Sequence, residues 1–318
     1  MNTSQSKETL KKNPLQRKSS PPEKRAYTFG VITSVAKDIF RSHYHREIVA
    51  GLFDQIGRGN HELKFHIFQK DSYQNLDDLF KKYSGLDGLF LIAWRWLHPD
   101  LVRLIQKSLG DTPTIVFNDF EPELKIGVLY TDVCQGMKDM VCHLSGKGYA
   151  RLAAICGPSH ISFRKTNGKA AEKVPFVDAQ EKVRGFKEAL KECGSSIKKS
   201  WLLRCSAYNS NEGYCLTKKL LGEKQKPDVI ICANDDLAFG ALQAIAEKEL
   251  SVPEDIAVTG FDDTEKASLV TPKLTTVAQP LYKMGQDAVH FLIEKIEDSS
   301  LRPVQKCYPT KLVIRESA

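Results

Sequence analysis

At 318 residues the chain exceeds what one ordinary hydrophobic core organises, and 42% hydrophobic with 27% charged residues is the balance of a globular protein, not of a disordered or fibrous one. No apolar run approaches the roughly 18 residues that a membrane helix needs, and Met1–Leu10 lacks the apolar stretch of a secretory signal, so a soluble, cytoplasmic protein with no membrane partner is expected. The net charge of +7 does not by itself point to nucleic acid: residues 1–26 carry seven Lys or Arg against two Glu, leaving the body close to neutral.

In chain order, residues 1–26 are polar, hold Ser19-Ser20-Pro21-Pro22, and are expected to be a disordered basic tail or linker. From Tyr27 onward short β-type runs alternate with amphipathic stretches. Strands are expected at Tyr27–Thr33, Leu63–Gln69, Leu89–Ala93, Thr114–Asn118, Arg151–Cys156, Asp228–Cys232 and Ile256–Gly260. Between them, Ile48, Val49, Leu52, Phe53 and Ile56 recur at helical spacing, as do Val183, Phe186, Ala189 and Leu190, and then Leu237, Ala241, Leu242 and Ile245. Residues 159–179 read as a long loop, a lid or an insertion. Strand–helix alternation of this kind builds parallel sheets covered by helices on both faces, with ligands at the strand C-termini.

The eight cysteines are scattered without a Cys-x-x-Cys pair and read as free thiols of a reducing compartment. Phosphate-binding glycine loops, a Gly-x-Ser-x-Gly elbow and His-Glu-x-x-His are all missing, so no enzyme, cofactor or metal is expected. Adjacent His43, Tyr44 and His45 point in different directions on a helix start and fit the polar rim of a cleft better than a metal site. Asp262-Asp263 follows one strand and Asn234-Asp235 another. Either pair could cap a helix or face a ligand; Asp235 is the better capping candidate, and Asn234 offers both a donor and an acceptor to the cleft.

Four ordered segments make the reading specific. Cys232-Ala233-Asn234-Asp235-Asp236-Leu237-Ala238-Phe239-Gly240-Ala241 resembles a signature of the lactose/galactose-repressor (LacI/GalR) family, and Val252 to Asp263, Thr271 to Pro280 and Leu312 to Ser317 are similar to the segments that follow it in that family. The resemblance implies two Rossmann-like α/β lobes of the type I periplasmic-binding-protein kind: residues 27–147 with 279–306, and residues 148–278 with 307–318. It also implies a ligand-sensing transcriptional regulator, homodimeric through its first lobe, whose cleft takes a small polar effector such as a sugar. The competing reading is a solute-binding protein with no DNA-binding role.

Family roles carried across place a stacking aromatic on Tyr208, the position of a ligand-clamping arginine on Lys182, and further cleft positions on Asp178, Asn234 and Asp262. From the first lobe, Tyr44, His45 and Trp94 join them, with Trp96 beside. Lys182 is a point cation where the family carries a forked one, which leaves the effector's identity open. The 26 residues ahead of the first strand show no helix-turn-helix pattern, so DNA is expected as a partner only through a segment outside them.

Overall fold

A computed structural model describes residues 25–33, 42–67, 85–92, 110–118, 126–163 and 172–318. The first lobe is built on a six-stranded, all-parallel sheet: β1 (Thr28–Thr33), β2 (Glu62–Ile67), β3 (Gly88–Ile92), β4 (Thr114–Phe117), β5 (Gly127–Thr131) and, much later in the chain, a strand at Gln305–Tyr308. Between β1 and β2 lies α1 (His43–Arg58). The second lobe starts with α2 (Val133–Gly146) and β6 (Leu152–Cys156), followed by a hairpin of β7 (His160–Phe163) and β8 (Glu172–Pro175). Then come α3 (Val177–Glu192), β9 (Leu202–Arg204), α4 (Ser210–Leu221), β10 (Val229–Cys232), α5 (Asp235–Ala246) and β11 (Ala257–Thr259). The chain closes with β12 (Thr276–Ala278), α6 (Leu281–Glu297), β13 (Gln305–Tyr308) and β14 (Lys311–Val313).

Parallel strands covered on both faces must be apolar on both, and β1, β3, β6 and β10 are buried along nearly their whole length. Packed onto the first sheet, α1 buries Ile48, Val49, Leu52 and Ile56, and α6 buries Met284, Ala288, Val289 and Leu292 in the same cluster as Phe29 and Phe90. Two clusters flank the second sheet. One joins α4 and α5 through Leu216, Leu220, Leu237 and Ala241, and the other joins α2 and α3 through Met137, Met140, Phe186 and Leu190.

The strand orders locate the crevice. In the first sheet the order is β2-β1-β3-β4-β5-β13, and in the second β9-β6-β10-β11. Each reverses direction beside its first strand, between β1 and β3 and between β6 and β10, and open sheets of this type take ligands outside the strand C-termini at that switch. Three segments cross between the lobes: after Thr131, after Ala278 and after Tyr308. They lie side by side, with Asp132 N–H donating to the Tyr308 carbonyl at 2.9 Å and the Thr310 hydroxyl to the Asp132 carbonyl at 3.2 Å.

The lobe boundaries differ from those read in the sequence. Helix α2, placed in the first lobe by a boundary at 147, buries Val133, Met137, Met140, Val141 and Leu144 against Ala154, Cys156 and Phe186 of the second. Residues 307 and 308, placed in the second lobe, finish β13 of the first sheet. A helical stripe announces an apolar partner without saying which sheet provides it. The 159–179 stretch is not one loop: it contains the antiparallel β7–β8 pair and the first turn of α3, while residues 164–171 lie outside the described residues.

Candidate functional site in the interlobe cleft

The chain leaves β11 through Gly260, Phe261, Asp262 and Asp263, and both aspartates take positive φ, 115° and 53°. Such backbone is strained for residues other than glycine and concentrates at functional positions. It is held by the Asp262 N–H donating to the Val277 carbonyl (2.8 Å) and by Arg315 Nη2 donating to Asp263 Oδ1 (2.7 Å). Gln279 Nε2 donates to Asp262 Oδ1 at 2.7 Å, while the Thr131 hydroxyl of the first lobe donates to Gln279 Oε1 at 2.5 Å. One amide therefore ties the cleft carboxyl to the interlobe crossing. Desolvation, with Asp235 and Asp178 adding to it and Lys182 and Gln279 opposing it, raises Asp262 to about 8.

The first turns of α3 contribute the cation. Lys182 is 5% exposed and sits one turn after Asp178, with Nζ 3.2 Å from Asp178 Oδ2. It also donates to the Ala233 carbonyl at 3.1 Å and lies 4.2 Å above the Phe261 ring centroid. Tyr208 flanks it, its hydroxyl donating to Asp178 Oδ2 at 3.4 Å and its ring centroid 6.0 Å from Lys182 Nζ. Burial and the neighbouring carboxylates push the Tyr208 hydroxyl well above the ordinary phenol value.

From the other lobe, the start of α1 presents Tyr44 and His45, edge to face at 5.1 Å. Burial pushes the Tyr44 hydroxyl well above the phenol range, and Asp178 and Asp262 of the second lobe add to the rise. Burial lowers His45 to about 4, which keeps the imidazole neutral. Among the described residues neither the Tyr44 hydroxyl nor His45 Nδ1 has a hydrogen-bond partner. A buried donor or acceptor left unpaired costs about 1–3 kcal/mol, and a bound polar molecule removes that cost.

Of the eight positions read in the sequence, Asp178, Lys182 and Tyr208 are in direct contact, Asp262 and Tyr44 lie within electrostatic reach of them, and His45 packs on Tyr44. The seventh, Asn234, stands at the mouth of the same strand ends in a different role. Its Oδ1 accepts from Leu237 N–H at 2.9 Å, so it is the residue that caps α5, and Asp235 is not. Asp235 is fully buried one step beyond, accepting from the Thr276 hydroxyl (2.6 Å) and from Thr264 N–H (2.7 Å), and burial raises it to about 6. Asn234 leaves β10 in extended conformation, φ −153° and ψ 171°, which is the geometry a capping residue needs. The eighth, Trp94, lies outside the described residues, as does Trp96.

A family model described as a periplasmic binding protein-like domain matches residues 141–318, more than half of the chain. The chain belongs to that family. It is 29% identical over 280 residues to the HTH-type transcriptional repressor PurR of Haemophilus influenzae strain PittEE, covering 86% of this chain and 77% of that protein. The fold is shared with the transcriptional regulator CelR in complex with cellobiose (TM-score 0.77, 23% identity, 94% of this chain and 86% of that one). It is shared also with a LacI family transcriptional regulator from Enterococcus faecium with bound ribose (TM-score 0.74, 24% identity, 92% and 98%).

For a periplasmic binding protein-like domain, three contributors to the cleft escape a motif search. Gln279 is visible in the sequence only as half of Gln279-Pro280, and Phe261 only as the aromatic ahead of the Asp pair. Gly157 follows β6, and a Cβ there would lie 1.9 Å from the Tyr208 hydroxyl and 2.9 Å from Ala179 Cβ. Glycine at 157 is therefore what lets the Tyr208 ring enter the cleft. Gly157→Ala is expected to push that ring aside and lower effector affinity about tenfold, the order of one displaced stacking contact, with little change in overall melting temperature. Isothermal titration of both proteins with the same effector checks it, and equal affinities refute the placement of Tyr208. Among the described residues no three His, Cys, Asp or Glu side chains are grouped to hold a metal ion, and no helix is long and apolar enough to cross a membrane.

Proposed function

We propose that this chain is the effector-sensing part of a transcriptional regulator of the LacI/GalR type, acting in the cytoplasm without catalysis, and that its effector is a small hydroxyl-rich molecule of the sugar class. The observation that carries the reading is the convergence of polar groups from both lobes. Asp262, Asp178 and Lys182 come from one, the Tyr44 hydroxyl and His45 Nδ1, which have no partner among the described residues, from the other, with the Tyr208 ring offering an apolar face. Hydroxyls on a rigid ring match alternating donors and acceptors, and the CH face of a sugar matches an aromatic plane.

A ligand that needs both lobes binds the closed arrangement better than the open one and shifts the population toward it. The three crossing segments would carry that shift, and Gln279 links Asp262 to Thr131 directly across them. The repressor name of the PurR relative and the sugars named in the CelR and E. faecium structures support this reading over a solute-binding protein. Exposed Phe53 on α1 and Tyr282 on α6, 49% and 40% accessible, support a homodimer through the first lobe. DNA contact is left to a helix-turn-helix outside residues 27–317.

Thermal-shift screening of pentoses, hexoses, disaccharides and nucleosides tests the proposal. A cognate sugar at a hundredfold excess over its Kd adds about 2.7 kcal/mol to the folded state, so a clear rise in melting temperature is expected in the wild type and none in Asp262→Ala. Equal responses of the two proteins to every compound, or a response to nucleosides alone, would overturn it.

A further inference from the structure

Helices α2 and α3 run parallel along a common seam on the second lobe. At its near end a Cβ on Gly185 would stand 2.2 Å from the Cys134 carbonyl oxygen, so glycine lets the two backbones approach closely there. One turn on, Lys138 Nζ meets Glu188 Oε2 at 2.6 Å and Glu192 Oε1 at 3.4 Å. Eight residues beyond the Cys134–Gly185 contact on each helix the seam ends in two thiols, Cys142 and Cys193, with Sγ atoms 3.8 Å apart. Cys142 is exposed and Cys193 half-buried, so both are open to small oxidants. Nothing in the effector reading uses this pair.

We propose that Cys142 and Cys193 form a reversible intramolecular disulfide under peroxide, a covalent staple between α2 and α3. The more exposed Cys142 thiolate attacks a peroxide oxygen, breaking the O–O bond to give a sulfenic acid and releasing one water. The Cys193 thiolate then attacks that sulfur, forms the S–S bond and displaces hydroxide, which leaves as the second water. Two thiols are oxidised and one hydrogen peroxide is reduced. A dithiol reductant reverses the step by thiol–disulfide exchange. Closing 3.8 Å to bonding distance, about 2.05 Å, needs side-chain rotation at the two ends of already packed helices. Burial, the neighbouring thiol, Glu192 and Asp139 all push the Cys142 thiol up, so the first attack is slow. A second thiol in contact then captures the sulfenic acid before it is oxidised further.

The position of the pair fixes what the bond can do. Asp178 and Lys182 lie on the first turns of α3 and the interlobe crossing lies just ahead of α2, whereas the thiols lie at the opposite ends of both helices. A bridge there closes a loop across β6, the β7–β8 hairpin and α3 without entering the cleft, and it restrains the unfolded chain.

The test is cysteine mapping on the full chain. After hydrogen peroxide treatment and quenching the intact mass should fall by two hydrogens, alkylation should then add two fewer groups than it adds to the reduced protein, and a Cys142–Cys193 linked peptide should appear, while exposed Cys215 and Cys307 still alkylate. Dithiothreitol should restore both thiols. The oxidised protein should melt about 5 °C higher than the reduced one, and Cys142→Ser and Cys193→Ser should each abolish the mass change and the shift. If Cys142 and Cys193 alkylate after peroxide as fully as Cys215, or if Cys142 ends as a sulfinic acid, the pair is not a disulfide site. A bridge that forms without raising the melting temperature overturns the staple.

Discussion

Asp262→Asn is expected to make the protein more stable at pH 8 while weakening effector binding about a hundredfold. The carboxyl is held at about 8 in the folded cleft, against about 4 for an unperturbed aspartate. Between those two values the folded protein keeps a proton that the unfolded chain has released. Stability from this group is therefore fully present below about pH 4, declines as pH rises, and levels off once pH passes about 8. Asparagine has no proton to lose, keeps an oxygen for the Gln279 amide, and removes the decline. Chemical denaturation should find the variant about 1–2 kcal/mol more stable than wild type at pH 8, with the difference shrinking toward pH 4.

Binding moves the other way, because an amide replaces one acceptor of a group facing the ligand with a donor, a loss of about 2–3 kcal/mol in a desolvated site. A residue that costs stability where it sits, on strained backbone and facing a cleft, is the pattern of a site kept for function. If Asn at 262 is no more stable at pH 8 than at pH 5 relative to wild type, the carboxyl is not desolvated as described.

How far the sequence carried this result depends on the length of the signal. Strands of five or six buried residues such as β1, β3 and β6 stand out as apolar runs between helical stripes, and their expected bounds lie within one or two residues of those observed. Strands β9, β12 and β14 have three residues each, too few for any periodicity, and they exist because a neighbour is already in place to pair with. The alternation of segments points to parallel sheets and the family resemblance to two lobes, but the lobe that receives α2 is decided by which apolar surface closes over Met137 and Met140.

The site divides the same way. Residues fixed by a motif, such as Asp262 and Tyr208, were legible as positions, whereas their working partners were not. Whether Asn234 or Asp235 caps α5 turns on one pair of backbone angles, and both residue types suit the role. Gln279 lies 17 residues from Asp262 and 148 from Thr131, and only the crossing of the chain between lobes brings the three together.

Lys182→Met should be the most damaging single change in the cleft, lowering stability at pH 7 by about 3 kcal/mol and removing detectable effector binding. Methionine matches the length of the lysine stem and still packs on Phe261, so lost volume is a small part of the effect. What disappears is the only cation that the described residues place in contact with Asp178, and the donor to the Ala233 carbonyl. The Asp178 carboxyl and the Ala233 carbonyl are left without their cation in a desolvated space, beside an Asp262 that keeps its proton at pH 7.

That cause has a signature that a packing defect lacks. Acidification toward pH 4, which protonates carboxyls, should recover most of the lost stability, and adding Asp178→Asn should recover part of it at pH 7. Lys182→Arg should retain stability within about 1 kcal/mol, since it keeps the charge on a longer forked group. Urea denaturation of the four proteins at pH 7 and pH 4.5 is the measurement. A loss for Lys182→Met that is the same at both pH values, and untouched by Asp178→Asn, would mean that the lysine acts by filling space, and the electrostatic account of this cleft would be wrong.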